Sequence, residues 1–171
     1  MTNKYYYLVA SLPYLKFEEK PPISKKKFID ECAKWLTPSD MEIILAAEKG
    51  CQKIRCANAE ALKEWKTFEG DLSKELAAIR EARKKGEEIK TSEMFRNILR
   101  EETPLLMEEK LERARWSFLE EKETEHFFDV NWLIVYFLKI KIMERMAQFD
   151  KDKGEAIFYK LCEVDYEKAV R

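Results

Sequence analysis

Glycine, proline and histidine are scarce in this chain of 171 residues, at four, five and one. With so little glycine there is no material for a phosphate-cradling loop, and nucleotide binding by the standard devices is unsupported. The single histidine, His126, forms Glu-x-x-His with Glu123. That is half of the ligand set a di-iron bundle needs, and no second histidine exists to complete it. Four cysteines, Cys32, Cys51, Cys56 and Cys162, lack the tight spacing of structural zinc ligands. In a chain this large they are expected to be reduced thiols, not disulfides. The longest apolar run, Trp132 to Leu138, stops at Lys139, far short of the roughly 20 residues that cross a bilayer. Tyr5 to Leu12 is too short and too aromatic for a secretory apolar region, so a cytoplasmic location is expected. Lys and Arg total 32 against 33 Asp and Glu, which excludes the basic excess of a general nucleic-acid binder. No serine lies in a nucleophile-elbow context. The expectation is a protein without catalytic residues, cofactor, metal or small-molecule substrate.

What the chain does have is charge, 38% of all residues, interleaved with 46% hydrophobic residues, and few turn formers between them. Such a composition predicts an all-α fold: one elongated multi-helix domain over 1–171, its antiparallel helices arranged around a buried helix near 130–149. A break from Gly86 to Thr91 divides it into helical halves, 1–86 and 91–171.

Lys4 to Pro13 begins with strand-like composition, yet its length suits a short helix stopping near Leu12 ahead of Pro13, and its state stays open. Ser24 can cap a helix with Phe28, Ile29, Cys32, Trp35 and Leu36 on one stripe. Thr37-Pro38-Ser39-Asp40 restarts the chain with a cap, a proline at the first helical position and an acidic residue in the first turn. That third helix carries Met41, Ile44 and Leu45 and stops at Gly50.

From a cap at Asn58, the residues Leu62, Trp65, Phe68, Leu72, Leu76 and Ile79 step by three or four to Gly86, predicting a rod roughly 40 Å long with Gly70 inside it. Ser92 can cap a short helix with Met94, Phe95, Ile98 and Leu99 inward. Thr103-Pro104 opens another long helix, with Met107, Leu111, Ala114 and Phe118 inward and an acidic outer face. Between Glu101 and Glu125 nine acidic residues face Lys110, Arg113, Arg115 and Lys122, a balance of -5 that suits a solvated face.

Asp129 can cap Val130 to Phe149, apolar on every side at its start and therefore buried all round. Lys139, Lys141, Glu144 and Arg145 are expected to mark its emergence into solvent. A last helix with Ala156, Ile157, Leu161, Cys162 and Val164 should pack back as an antiparallel partner and fray near Arg171. Two basic clusters remain, Lys25-Lys26-Lys27 and Arg83-Lys84-Lys85. Cations at a helix C-terminus favour its dipole, which explains such clusters without a partner. Of the two, Arg83, Lys84 and Lys85 form the candidate partner contact.

Tyr5-Tyr6-Tyr7-Leu8-Val9-Ala10-Ser11-Leu12-Pro13-Tyr14-Leu15 with Pro21-Pro22-Ile23-Ser24, Ala114 to Leu119, Phe128-Asp129, Tyr136 to Lys139, Ile142 to Arg145 and the Gly154 region resemble a bacterial family encoded among V-type (A/V-type) ATPase subunits. In placement that family is similar to the C/d subunit, the helical funnel seating the central stalk on the rotor ring, although one copy of this chain is too short to build a full funnel. The resemblance implies that Tyr136, Leu138, Lys139, Arg145 and Gly154 take packing parts. It also implies a non-catalytic subunit or assembly factor whose partners are V-type ATPase subunits on the central-stalk or rotor side, held peripherally at the inner membrane through the complex. A helical scaffold or RNA-binding module unrelated to the ATPase is the alternative.

Overall fold

A computed structural model describes residues 3–49, 59–88, 91–99, 103–149 and 151–162. Among the described residues there are eight helices and no strand: α1 (Asn3–Ser11), α2 (Lys25–Trp35), α3 (Pro38–Lys49), α4 (Glu60–Lys85), α5 (Glu93–Leu99), α6 (Pro104–Glu125), α7 (Val130–Met146) and α8 (Lys151–Cys162). The fold is all-α, as the composition predicts.

Helices begin where side chains satisfy the free amides of their first turns. Ser24 Oγ accepts from Lys27 N–H at 3.3 Å, Thr103 Oγ1 from Leu106 N–H at 3.3 Å, and Asp129 Oδ1 from Trp132 N–H at 2.7 Å. Thr37 and Asp40 bond reciprocally, Asp40 N–H to Thr37 Oγ1 at 3.4 Å and Thr37 Oγ1–H to Asp40 Oδ2 at 2.7 Å. Three helix starts are also served by distant residues. Glu144 takes the Lys25 N–H of α2 at 2.8 Å, Asn131 the Ala61 N–H of α4 at 3.2 Å, and Glu75 the Ser92 N–H before α5 at 2.8 Å. The residue before α4 is Ala59, which has no capping side chain; Asn58, Gly50 and the cysteines at 51 and 56 lie outside the described residues. The tyrosine-rich segment resolves as a helix ending at Ser11, two residues before Pro13.

α7 is the centre. Eleven of its residues are buried, and it packs against α2, α3, α4 and α6. Its main cluster takes in Leu8, Leu15, Phe28, Cys32, Ile44 and Leu62 from the first half of the chain. A second cluster sits farther along α4, built from Leu72, Ile79, Phe95, Ile98 and Leu111. The 26 residues of α4 make a rod of about 39 Å that runs through both.

The structure corrects four expectations, the first being that Met94 faces inward on α5: it is 40% exposed. The buried helix ends at Met146, where Ala147 N–H closes the last turn on Met143 C=O at 2.9 Å, instead of running to Phe149. Lys139 does not mark an exit from the core: it is only 4% exposed, because Glu123 on α6 meets its ammonium there. The last helix does not pack back. Among the described residues α8 makes no extensive contact with another helix, and Ile157 and Leu161 are exposed. Val164 and the end at Arg171 lie outside the described residues.

Candidate functional site

A seam of ion pairs, from buried to half-exposed, runs where α4, α6 and α7 meet. It grows from the acidic face of α6, of which a part turns inward. Glu112 is 1% exposed, and its Oε1 lies 3.0 Å from Arg115 Nη1 and 3.1 Å from Arg145 Nη1. Arg115 also donates from Nε to Glu69 Oε1 on α4 at 2.6 Å, and Arg145 donates to Glu108 one turn before Glu112. Thus one buried carboxylate bridges two guanidiniums, each held by a second carboxylate. Burial raises the Glu112 carboxyl above its ordinary range, against the pull of Arg115 and Arg145. The Arg115 guanidinium is held more firmly charged: burial opposes this, but its hydrogen bond to Glu69 and the charges of Glu112 and Glu69 prevail.

The seam fixes helix directions. On α6 and α7, Glu108 and Glu112 pair with Arg145 while Glu123 pairs with Lys139, so the two helices run antiparallel. On α4 and α6, Glu69 pairs with Arg115 and Glu64 with Lys122 at 3.2 Å, again antiparallel. Lys139 lies 4.9 Å above the Trp116 ring, and Lys141 donates to the Ala47 carbonyl near the end of α3 at 3.2 Å, where a cation suits the helix dipole. Burial lowers the Lys141 pKa. Tyr136 donates from its hydroxyl to Pro13 C=O at 2.6 Å, tying the loop after α1 to the core, and burial raises its pKa.

The candidate partner contact from the sequence sits elsewhere. Arg83, Lys84 and Lys85 form the exposed last turn of α4, ended by Gly86 at φ 69°, with Glu87 N–H bonded to Ala82 C=O at 3.0 Å. Lys85 pairs with Glu81 at 2.7 Å. Lys25 of the other basic cluster is bound to Glu144 at 3.2 Å beside α7, so the structure places the two clusters on different helices. His126 Nδ1 is 3.1 Å from Asp129 Oδ2 and serves the turn before α7; Glu123, its sequence partner, is engaged with Lys139 instead. Among the described residues no group of three or more His, Cys, Asp or Glu side chains is placed to hold a metal ion. Of the residues the resemblance singles out, Tyr136, Leu138 and Lys139 are buried and Arg145 joins the seam, while Gly154 lies on α8, where a β-carbon would meet no other part of the fold within 4 Å.

Sequence reasoning missed the seam. Its signal was present as carboxylates at Glu108 and Glu112, four apart, with Arg115 three further on, but their partners Glu69 and Arg145 lie on other helices. The comparisons with known proteins bear on this region. A family model described as a protein of unknown function, DUF2764, matches residues 86–165, which take in α5 to α8 and the seam residues of α6 and α7, but not Glu64 and Glu69 on α4. Arg83, Lys84 and Lys85 fall just before the match. No curated protein and no solved structure matches the chain.

Proposed function

We propose that this chain is a non-catalytic subunit or assembly factor of a V-type ATPase, acting as a stiff helical coupling or docking piece on the central-stalk or rotor side. The ATPase link rests on the resemblance carried by the tyrosine-rich α1 segment and by the stretches at 114–119 and 136–145. The observation that supports a mechanical part is the seam. Moving α6 against α7 would separate Glu112 from Arg145, and moving it against α4 would separate Arg115 from Glu69, so each shift breaks an ion pair that has a partly buried member. Three helices locked in this way, with α4 continuous through both apolar clusters, transmit force or hold partners at a fixed spacing as a loop cannot. In this reading Arg83, Lys84 and Lys85 present a cationic tip to an acidic surface, and membrane association is indirect, through the complex. Among the described residues no helix is long and apolar enough to cross a membrane.

The test is purification of the rotary complex from native membranes over a series of salt concentrations, followed by crosslinking and mass spectrometry. The expected result is co-purification that weakens as salt rises, with crosslinks from Lys84 and Lys85 to an ATPase subunit. Absence of the chain from the complex at every salt concentration overturns the reading.

A further inference from the structure

A cleft of about 220 Å³ opens where α4, α6 and α7 meet, walled on one side by Trp65 and lined by Glu69, Glu112, Arg115, Lys141 and Arg145. Its carboxylates are committed to its arginines. Glu69 holds Arg115, and Glu112 lies between Arg115 and Arg145, whose second terminal nitrogen is taken by Glu108. Lys141 is the cation left over. Among the described residues no carboxylate sits at ion-pair distance from its ammonium, and its hydrogen bond goes to the neutral Ala47 carbonyl at 3.2 Å, so donors of that head stay unused. Burial lowers its pKa, the Lys25 charge adds to this, and Glu48 and Glu69 oppose both from farther away. Lys141 also stands four residues before Arg145 on α7, which puts two like charges about 6 Å apart along one face of the helix. Like charges at that spacing repel, and an anion in the cleft relieves the repulsion.

We propose that this cleft binds one phosphate group, free or as the monoester of a small alcohol, between Lys141 and Arg145. The ligand class follows from the lining. A phosphate offers several acceptor oxygens, so one can meet the unused donors of Lys141 while another meets the outward N–H groups of Arg145, which keeps about half of its side chain in solvent. A halide, being a single atom, lacks that span. The volume is several times the roughly 30 Å³ of a water molecule, enough for the group and a short substituent lying along Trp65. Trp65 also keeps water from one side of the cleft, and charges less screened by solvent attract more strongly. Glu69 and Glu112 do not bar an anion, because guanidinium nitrogens already neutralise them at 2.6 to 3.1 Å. The site needs no partner chain and is independent of the ATPase reading.

Isothermal titration calorimetry on the purified full chain at neutral pH tests this, with potassium chloride holding the ionic strength constant. Inorganic phosphate is expected to give a saturable isotherm with one site per chain, and acetate none. Glycerol phosphate distinguishes the two sources of the group: it binds more tightly than inorganic phosphate if the substituent lies against Trp65, and more weakly if the site takes the free ion. Lys141→Met keeps the stem of the side chain in place and should weaken phosphate about tenfold or more, with unchanged far-UV circular dichroism as the check on folding. A second measurement needs no variant. Limited acetylation of the wild type, read by mass spectrometry, should slow at Lys141 when phosphate is added and stay unchanged at Lys84 and Lys85, which lie in the last turn of α4. No binding at about 10 mM phosphate, an equal response to acetate, or a folded Lys141→Met that binds as the wild type does overturns the proposal. Labelling at Lys141 that phosphate leaves as fast as before overturns it equally.

Discussion

Lys139 and Glu123 form a pair whose members are not equivalent. The lysine is buried, under the Trp116 ring, while Glu123 keeps about a third of its side chain in solvent. Glu123→Gln therefore leaves an ammonium without a counter-charge in the core and should cost roughly 3 kcal/mol, whereas Lys139→Met frees a carboxylate that water can reach and should cost under 1.5 kcal/mol. Urea denaturation of both variants gives the comparison, and equal losses would contradict this asymmetry. Glu112 follows a related rule. Glu112→Gln leaves Arg115 with Glu69 and Arg145 with Glu108, so a loss near 1 kcal/mol is expected; Arg115→Met strips both Glu69 and Glu112 of their shared cation and should cost about 3 kcal/mol. The sign with pH is also fixed. A carboxyl whose folded-state pKa lies above its ordinary value of 4.5 takes up its proton earlier in the folded state, so its contribution to stability falls as pH rises from about 4.5 through the raised value. Glu112→Gln removes that slope, and its stability relative to wild type should improve as pH climbs through this window. None of this was legible in sequence. A lysine after seven apolar residues reads as the end of a buried stretch, and only the fold brings Glu123 opposite it.

At the scale of the element the sequence was far more explicit, because caps and breakers act within a few residues. Ser24, Thr103 and Asp129 accept the amides their positions predicted, and Pro104 opens α6. Where the cap comes from another helix, as with Asn131 at the start of α4, local spacing carries no trace of it. The two glycines of α4 and its end separate the same way. Gly70 has no heavy atom within 4 Å of where a β-carbon would sit and no left-handed backbone, so Gly70→Ala should gain roughly 1 kcal/mol from helix propensity. Gly86 is equally open but sits at φ 69°, so Gly86→Ala should lose about 1 kcal/mol through backbone strain alone. Opposite shifts in melting temperature, a few degrees each, are expected in thermal denaturation followed at 222 nm. The same reasoning explains the misreading of α8: its stripe predicts burial, and periodicity says nothing about which surface receives it.

Across the whole molecule, two apolar clusters of unequal size share one rod, and that arrangement predicts unequal stability. The larger cluster closes around α7 from several helices and includes stacked rings, with Phe28 5.5 Å from Tyr136 and 5.6 Å from Phe137. The smaller one holds five buried residues, and of these α5, a helix of seven residues, supplies Phe95 and Ile98. A helix that short has little stability of its own and depends on this contact. α5 is also held through its start, where Thr91 donates to Glu75 at 2.5 Å and Ser92 N–H to the same carboxylate oxygen, so Glu75 on α4 couples the two halves of the chain. Opening of the smaller cluster should thus precede global unfolding, with α5 and the end of α4 exchanging amide hydrogens faster than α7. Ile98→Ala removes a buried side chain from that cluster alone, and Ile134→Ala does so from the larger one. Each should cost about 2–5 kcal/mol at its own site. The readout is site-resolved hydrogen exchange: Ile98→Ala should accelerate exchange in α5 and the last turns of α4 while leaving α7 close to wild type, and Ile134→Ala should accelerate exchange everywhere. If Ile98→Ala raised exchange in α7 as much as in α5, the two clusters would be one cooperative unit, and α4 would be a strut inside a single core.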